Sequence, residues 1–228
     1  VPPLDQQPFF SEKIVHLPDC YQANDGTRAL LPVPSRAEAG LPAEGFVFCS
    51  LNNGWKITRP MFEIWMRLLG QIEGSVLWLL DGPHAGNLRR EAAARDIAPS
   101  RLIFAPKLPP EQHLARHQLA DLFLDTLPYG AHTSCSDALW AGLPVITCYG
   151  KAFPGRVAAS LLKAVDLPEL VTTRLGDYEA KALELAKNPA LLAATKQKLQ
   201  RNRRTAPLYD SERFRKNIEA AYEKMLGQ

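Results

Sequence analysis

The chain has 228 residues, of which 46% are hydrophobic, enough for one large domain with a sizeable core. Its net charge of +3 is too small to argue for nucleic acid as a partner, and no apolar run approaches membrane-spanning length. The cysteines, Cys20, Cys49, Cys135 and Cys148, form no CxxC pair; they read as small core residues of a reduced, cytoplasmic protein and not as a disulfide framework or metal site.

Residues 1–45 carry seven prolines and little periodicity, so they read as a linker and the tail of a preceding domain. The chain opens on Val1 and not on Met, which fits a piece of something longer. From Gly45 the pattern becomes regular. Phe46–Leu51 is a buried-strand run, Asn52–Lys56 a turn, and Thr58 with Pro60 opens a helix bearing Met61, Ile64, Trp65, Leu68 and Leu69 at helical spacing. Val76–Leu80 is a second strand, followed by a helix near Leu88–Ile97, and Arg101–Phe104 is a third strand. Pro109–Pro110–Glu111 opens a helix carrying His113, Arg116 and His117. Leu122–Asp125 and Pro144–Thr147 are further strands, and Leu170–Val171 a short sixth. Helices are expected at Arg156–Ala164, Asp177–Ala186, Pro189–Asn202 and Ser211–Leu226. Strands and helices alternating at this spacing predict an α/β, Rossmann-like parallel sheet with helices on both faces and a helical C-terminal tail.

Between the fourth and fifth strands lies a polar cluster, His132–Thr133–Ser134–Cys135–Ser136–Asp137, at the start of a short helix that Gly142–Leu143–Pro144 stops. Free N–H groups and the macrodipole favour an anion at such a terminus. Thr133 or Ser134 would cap the helix, and capping alone would account for both. Asp137, on the first turn, is placed to accept from a sugar diol. Lys56, in the loop after the first strand, can meet a diphosphate as a point charge or stand solvated. Asn53 beside it suits a phosphate, a sugar or the turn itself. His113 and Arg116 share a helix face and could flank a base and a phosphate, or lie partly exposed without a ligand. Arg156 is a further candidate for the anion. GxGxxG, Walker A, GxSxG and HExxH motifs are absent, which argues against a dehydrogenase, a P-loop NTPase, an α/β-hydrolase or a zinc protease.

The run Asp137–Ala138–Leu139–Trp140–Ala141–Gly142–Leu143–Pro144–Val145–Ile146 resembles the donor-binding domain of GT-B glycosyltransferases. Phe48–Ile57, Ser75–Leu80, Arg101–Phe104, Gln118–Thr126, His132–Ser134 and Arg156–Ser160 extend that resemblance, in order, to the C-terminal catalytic lobe of O-GlcNAc transferases and SPINDLY-type relatives. The resemblance implies a donor lobe over 46–228, with 1–45 as linker and tail of the N-terminal lobe. It implies that Lys56 contacts the UDP diphosphate and supports its departure. Asn53 would touch the phosphates, and His113 and Arg116 would border uridine and phosphate. His132, Thr133 and Ser134 would cradle the diphosphate, and Asp137 would bind the ribose. Uracil would lie against Leu108 and Pro110, where animal members carry a lysine in place of Pro110. The implied reaction is metal-independent, inverting transfer from UDP-GlcNAc to protein Ser or Thr, with no cofactor beyond the donor. The implied partners are an N-terminal catalytic lobe and upstream TPR repeats that hold the acceptor protein, so this lobe by itself is expected to bind nucleotide without turnover. A GDP-fucose-using, SPINDLY-like transferase and a non-catalytic nucleotide-binding or protein-interaction module remain as alternatives.

Overall fold

The strands are short apolar runs buried on both sides, and such runs demand a sheet covered on each face. The computed structural model describes residues 1–227 and contains that sheet. Its strands are β1 (Val47–Ser50), β2 (Val76–Leu80), β3 (Leu102–Ala105), β4 (Leu122–Leu124), β5 (Val145–Cys148) and β6 (Val171–Thr172). All pairings are parallel, in the order β3-β2-β1-β4-β5-β6. The helices are α1 (Arg59–Gln71), α2 (Ala85–Ala93), α3 (Pro110–Arg116), α4 (Thr133–Trp140), α5 (Val157–Ala164), α6 (Leu175–Lys187), α7 (Pro189–Asn202) and α8 (Ser211–Leu226).

α1 shows how sequence becomes packing. Pro60 sits in its first turn, and Met61, Phe62, Ile64, Trp65, Met66, Leu68 and Leu69 are buried. Each large side chain so buried contributes roughly 2 kcal/mol. Trp65 Nε1 donates to Tyr178 Oη of α6 at 3.3 Å, and that hydroxyl donates to the Asp125 carbonyl at 3.1 Å. Two helices are thereby tied to the C-terminal end of β4.

One helix boundary differs from the sequence reading. α2 starts and ends earlier than Leu88–Ile97; it cannot run on to Ile97 because Asp96 adopts φ +59°, a left-handed conformation that cannot continue a helix. Residues 1–45 hold no α-helix or strand, and they are bonded along the lobe. Cys20 and Leu41 are buried, Arg36 approaches Asp121 at 3.6 Å, and Arg213 of α8 makes a two-pronged pair with Asp19 at 2.7 and 2.8 Å. Asn217 also donates to Asp19, so α8 packs against this N-terminal strap.

Candidate active site

In an open parallel sheet, ligands bind beyond the strand C-termini where the strand order reverses. Here that reversal lies between β1 and β4, so the loops Asn52–Thr58 and Asp125–His132 form the two lips of a crevice.

Asp125 builds the second lip. Its carboxylate is buried and accepts from the N–H of Thr126 (2.8 Å), the N–H of Ala131 (2.6 Å) and Thr147 Oγ1 (2.7 Å). Burial pushes its pKa up to about 6, against these hydrogen bonds and the nearby Lys56 ammonium. Thr126 Oγ1 donates to the Tyr129 carbonyl and Thr58 Oγ1 to that of Leu127, fixing the loop from inside. Gly130 passes so close that an added Cβ would stand 3.0 Å from the Asp125 carboxylate and 3.1 Å from the Pro154 carbonyl.

Lys56 reaches across from the first lip. Its Nζ donates to the Gly130 carbonyl at 2.9 Å and lies 4.4 Å from the centroid of the Tyr129 ring. Partial burial lowers its pKa, opposed by Asp125. Tyr129 stacks on His132 with centroids 5.3 Å apart, and Trp55 meets Tyr129 edge-on at 5.1 Å. Lys56 is thus one ring stack away from the start of α4.

α4 begins at Thr133 with His132 as its N-cap, and neither Thr133 nor Ser134 caps it. The Ser134 hydroxyl instead donates to Asn52 Oδ1 at 2.6 Å, because the buried Asn52 amide needs a partner at the end of β1. The backbone N–H groups of Thr133 and Ser134 have no acceptor among the described residues. Thr133 lines a cavity of about 350 Å³ together with His132, Ser136, Asp137 and, from the strap, Tyr21–Asp25 and Arg28. His132 Nε2 lies 3.2 Å from the Pro154 carbonyl, and burial lowers its pKa. The Asp137 carboxylate is paired with Arg28 at 2.5 Å.

The other expected residues lie apart from this cavity to different degrees. Asn53 is exposed and its side chain makes no hydrogen bond among the described residues; Asn52, one residue earlier, is the amide that touches α4. Arg116, expected to border a phosphate, is buried. Its Nη1 donates to the Pro106 carbonyl at 2.6 Å and its Nη2 to His113 Nδ1, while the guanidinium lies 5.8 Å from the Trp78 ring. Its donors brace the loop after β3, and burial brings its pKa down to about 10. Because His113 Nδ1 accepts from an arginine, its Nε2 carries the proton. Burial and Arg116 hold its pKa at about 4, with Asp137 pulling the other way. Leu108 is exposed and, with Arg116, lines a separate apolar cavity of about 320 Å³ closed by Leu31–Ala39 of the strap. Pro110 is exposed at the start of α3. Arg156 turns away from α4: its Nε donates to the Val1 carbonyl at 2.8 Å and its guanidinium stacks on Tyr149.

Sequence reading missed Arg28, Asn24, Asn52 and Asp125 as parts of the site. Asp125 alone left a signal, as the polar end of an apolar run. The strap residues left none, since their partners lie more than 100 positions away.

The strand order, the crevice at its reversal and a helix N-terminus opening on it define a Rossmann-like lobe of GT-B glycosyltransferase type. The profile of glycosyl transferase family 41 matches residues 3–218, and the chain belongs to that family, whose members include O-GlcNAc transferases and SPINDLY-type proteins. It is 38% identical, over 99% of its length and 24% of the relative's, to the Arabidopsis thaliana protein named probable UDP-N-acetylglucosamine–peptide N-acetylglucosaminyltransferase SEC. It is 30% identical to the SPINDLY protein of Solanum lycopersicum, over 94% of this chain and 23% of that one. A solved mutant of the Thermobaculum terrenum O-GlcNAc transferase superposes with a TM-score of 0.84 at 27% identity, covering 98% of this chain and 43% of that one. The chain therefore spans about a quarter of the length of these curated relatives. No helix among the described residues is long and apolar enough to cross a membrane.

Proposed function

We propose that the chain is the donor-binding lobe of a protein O-GlcNAc transferase, taking UDP-GlcNAc at the crevice between β1 and β4. The observation that carries this reading is the meeting of Lys56 with the α4 N-terminus across the Tyr129–His132 stack. The diphosphate lies on the free N–H groups of Thr133 and Ser134, with His132 beside it. Lys56 leaves the Gly130 carbonyl for the phosphate oxygen whose charge grows as the bond to the anomeric carbon breaks. A preorganised ammonium and helix dipole stabilise that charge without a metal. Asp137 accepts from the ribose, and His113, whose Nε2 is a donor, borders the base. The acceptor protein, the N-terminal lobe and the TPR repeats belong to the longer enzyme. Four free, buried cysteines suit a reducing cytoplasm.

The SPINDLY-type relatives support a second reading, in which the same crevice takes GDP-fucose. Isothermal titration with UDP, UDP-GlcNAc and GDP separates the two: tighter binding of the uridine nucleotides supports the first, tighter binding of GDP the second. Absence of binding at millimolar nucleotide overturns both in favour of a non-catalytic module. Lys56→Ala is expected to weaken UDP binding about tenfold or more, equivalent to at least ~1.4 kcal/mol. Undiminished binding would remove Lys56 from the site.

A further inference from the structure

The two carboxylate oxygens of Asp137 are in different situations. Oδ1 accepts from Arg28 Nη1 at 2.5 Å, whereas Oδ2 has no partner among the described residues. The two side chains are 30% and 18% exposed, so the pair is shielded on one side and open to the α4 cavity on the other. Arg28 sits on an irregular segment, yet its position is set by α4 itself. Its carbonyl accepts from Trp140 Nε1 at 3.1 Å, and Trp140 follows Asp137 by three residues on the same helix face. Four residues upstream, Asn24 Oδ1 accepts from Ser136 Oγ at 2.5 Å, and Asn24 Nδ2 donates to the Leu208 carbonyl at 3.2 Å. Tyr209 Oη donates to the Ser136 carbonyl at 2.7 Å, closing the same packet from the C-terminal side. The strap is thus held to the turn of α4 that bears Asp137, and the guanidinium projects from a fixed backbone.

Resting on the reading of Asp137 as the ribose ligand, we propose that Arg28 is a positioning residue that lets this lobe recognise a ribonucleoside diphosphate as a ribonucleotide. Arg28 occupies Oδ1 and freezes the carboxylate, which leaves Oδ2 to accept from the 2′- and 3′-hydroxyls. An aspartate left to rotate must be ordered at the moment of binding; holding it in advance is worth roughly 2- to 10-fold in affinity. That gain applies only to a ligand with a diol to offer. Arg28 therefore acts on the preference for ribose over deoxyribose and not on the diphosphate, which Lys56 and the α4 N–H groups hold.

The test is titration calorimetry on this chain with UDP against 2′-deoxy-UDP, repeated with GDP against 2′-deoxy-GDP. The unaltered chain is expected to bind the ribo form about tenfold more tightly, the order of one charge-assisted hydrogen bond. Arg28→Ala is expected to reduce that ratio to threefold or less, Asp137→Asn likewise, and Arg28→Lys to retain an intermediate ratio. Lys56→Ala is expected to weaken both members of each pair and keep the ratio. A merely structural role for Arg28 would lower affinity for both members together, so the ratio is the readout that isolates positioning. Should Arg28→Ala not fold, Arg28→Lys and Arg28→Gln carry the same comparison. If the Arg28 variants keep the full ratio while Asp137→Asn loses it, the inference is overturned and the nucleotide reading stands. If the unaltered chain binds both sugars equally, the ribose role of Asp137 fails and the inference fails with it.

Discussion

His113 and His117 are neutral in the fold for different reasons. His117 is fully buried, with Nδ1 donating to the His113 carbonyl at 2.8 Å, and burial drives its pKa down to about 3. His113 is partly open and is held near 4 by burial and by Arg116. Both pKa values lie below the ordinary 6.5, so the unfolded chain takes up protons that the folded chain refuses as pH falls through that range. Their stability contribution is complete above pH 6.5 and is lost toward pH 3. Asp125 runs the other way: its pKa of about 6 lies above the ordinary 3.8, so between those values the folded chain binds the extra proton and gains stability on acidification. Two histidines outweigh one carboxyl, and the urea midpoint is expected to fall between pH 7 and pH 4.5. His117→Gln is expected to make that fall shallower. A midpoint that rises on acidification would show that Asp125 dominates. Asp125→Asn should cost about 1–3 kcal/mol, because an amide in place of one oxygen either sets an N–H against the Thr126 and Ala131 N–H groups or takes from the Thr147 hydroxyl its acceptor. Urea unfolding at pH 7.5, where the native carboxyl is ionised, measures it.

At the level of elements, α4 shows what local pattern reveals and where it stops. Its end was legible: Gly142 takes φ +85°, the Gly142 N–H bonds the Leu139 carbonyl at 3.1 Å, and the Leu143 N–H bonds that of Ala138 at 2.9 Å, a Schellman stop that Gly-Leu-Pro announces. Gly142→Ala is therefore expected to cost about 1–2 kcal/mol in urea unfolding, since only the left-handed conformation ends the helix there. Its start was misread. Thr133 and Ser134 look like caps, but a cap depends on which polar group nearby is in greater need, and Asn52, delivered by a strand some 80 positions earlier, claims the Ser134 hydroxyl. The six strands and their order of helices were readable because apolar periodicity is local. The division of labour between Asn52 and Asn53 was not, because it turns on which residue the β1 terminus points inward.

Across the whole molecule, the strap is the part that pattern could not reach. Proline-rich, aperiodic sequence carries no helix or strand signal, and side-chain bonds such as Asn24–Ser136 and Arg28–Asp137 have no characteristic spacing. Asn24→Ala is expected to destabilise the chain by about 1–2 kcal/mol by leaving the buried Ser136 hydroxyl unpaired. Trp140 emission should shift to the red in the same variant if the strap loosens from α4; an unchanged midpoint and spectrum would mean that the strap holds without it. The family 41 profile runs from residue 3, so the irregular strap as well as the sheet lies within the stretch that matches the family.

That stitching bears on how such lobes can be exchanged between enzymes. A chimera designer would place the junction at Phe46, where regular structure begins, and would thereby discard the covering of α4 while keeping the helix. The donor-side half would then arrive with Ser136 and Trp140 stripped of their bonds to Asn24 and Arg28, and with α8 missing Asp19. Transplanting specificity from one relative to another thus requires moving two discontinuous pieces of chain together, the globular lobe and the ribbon that precedes it.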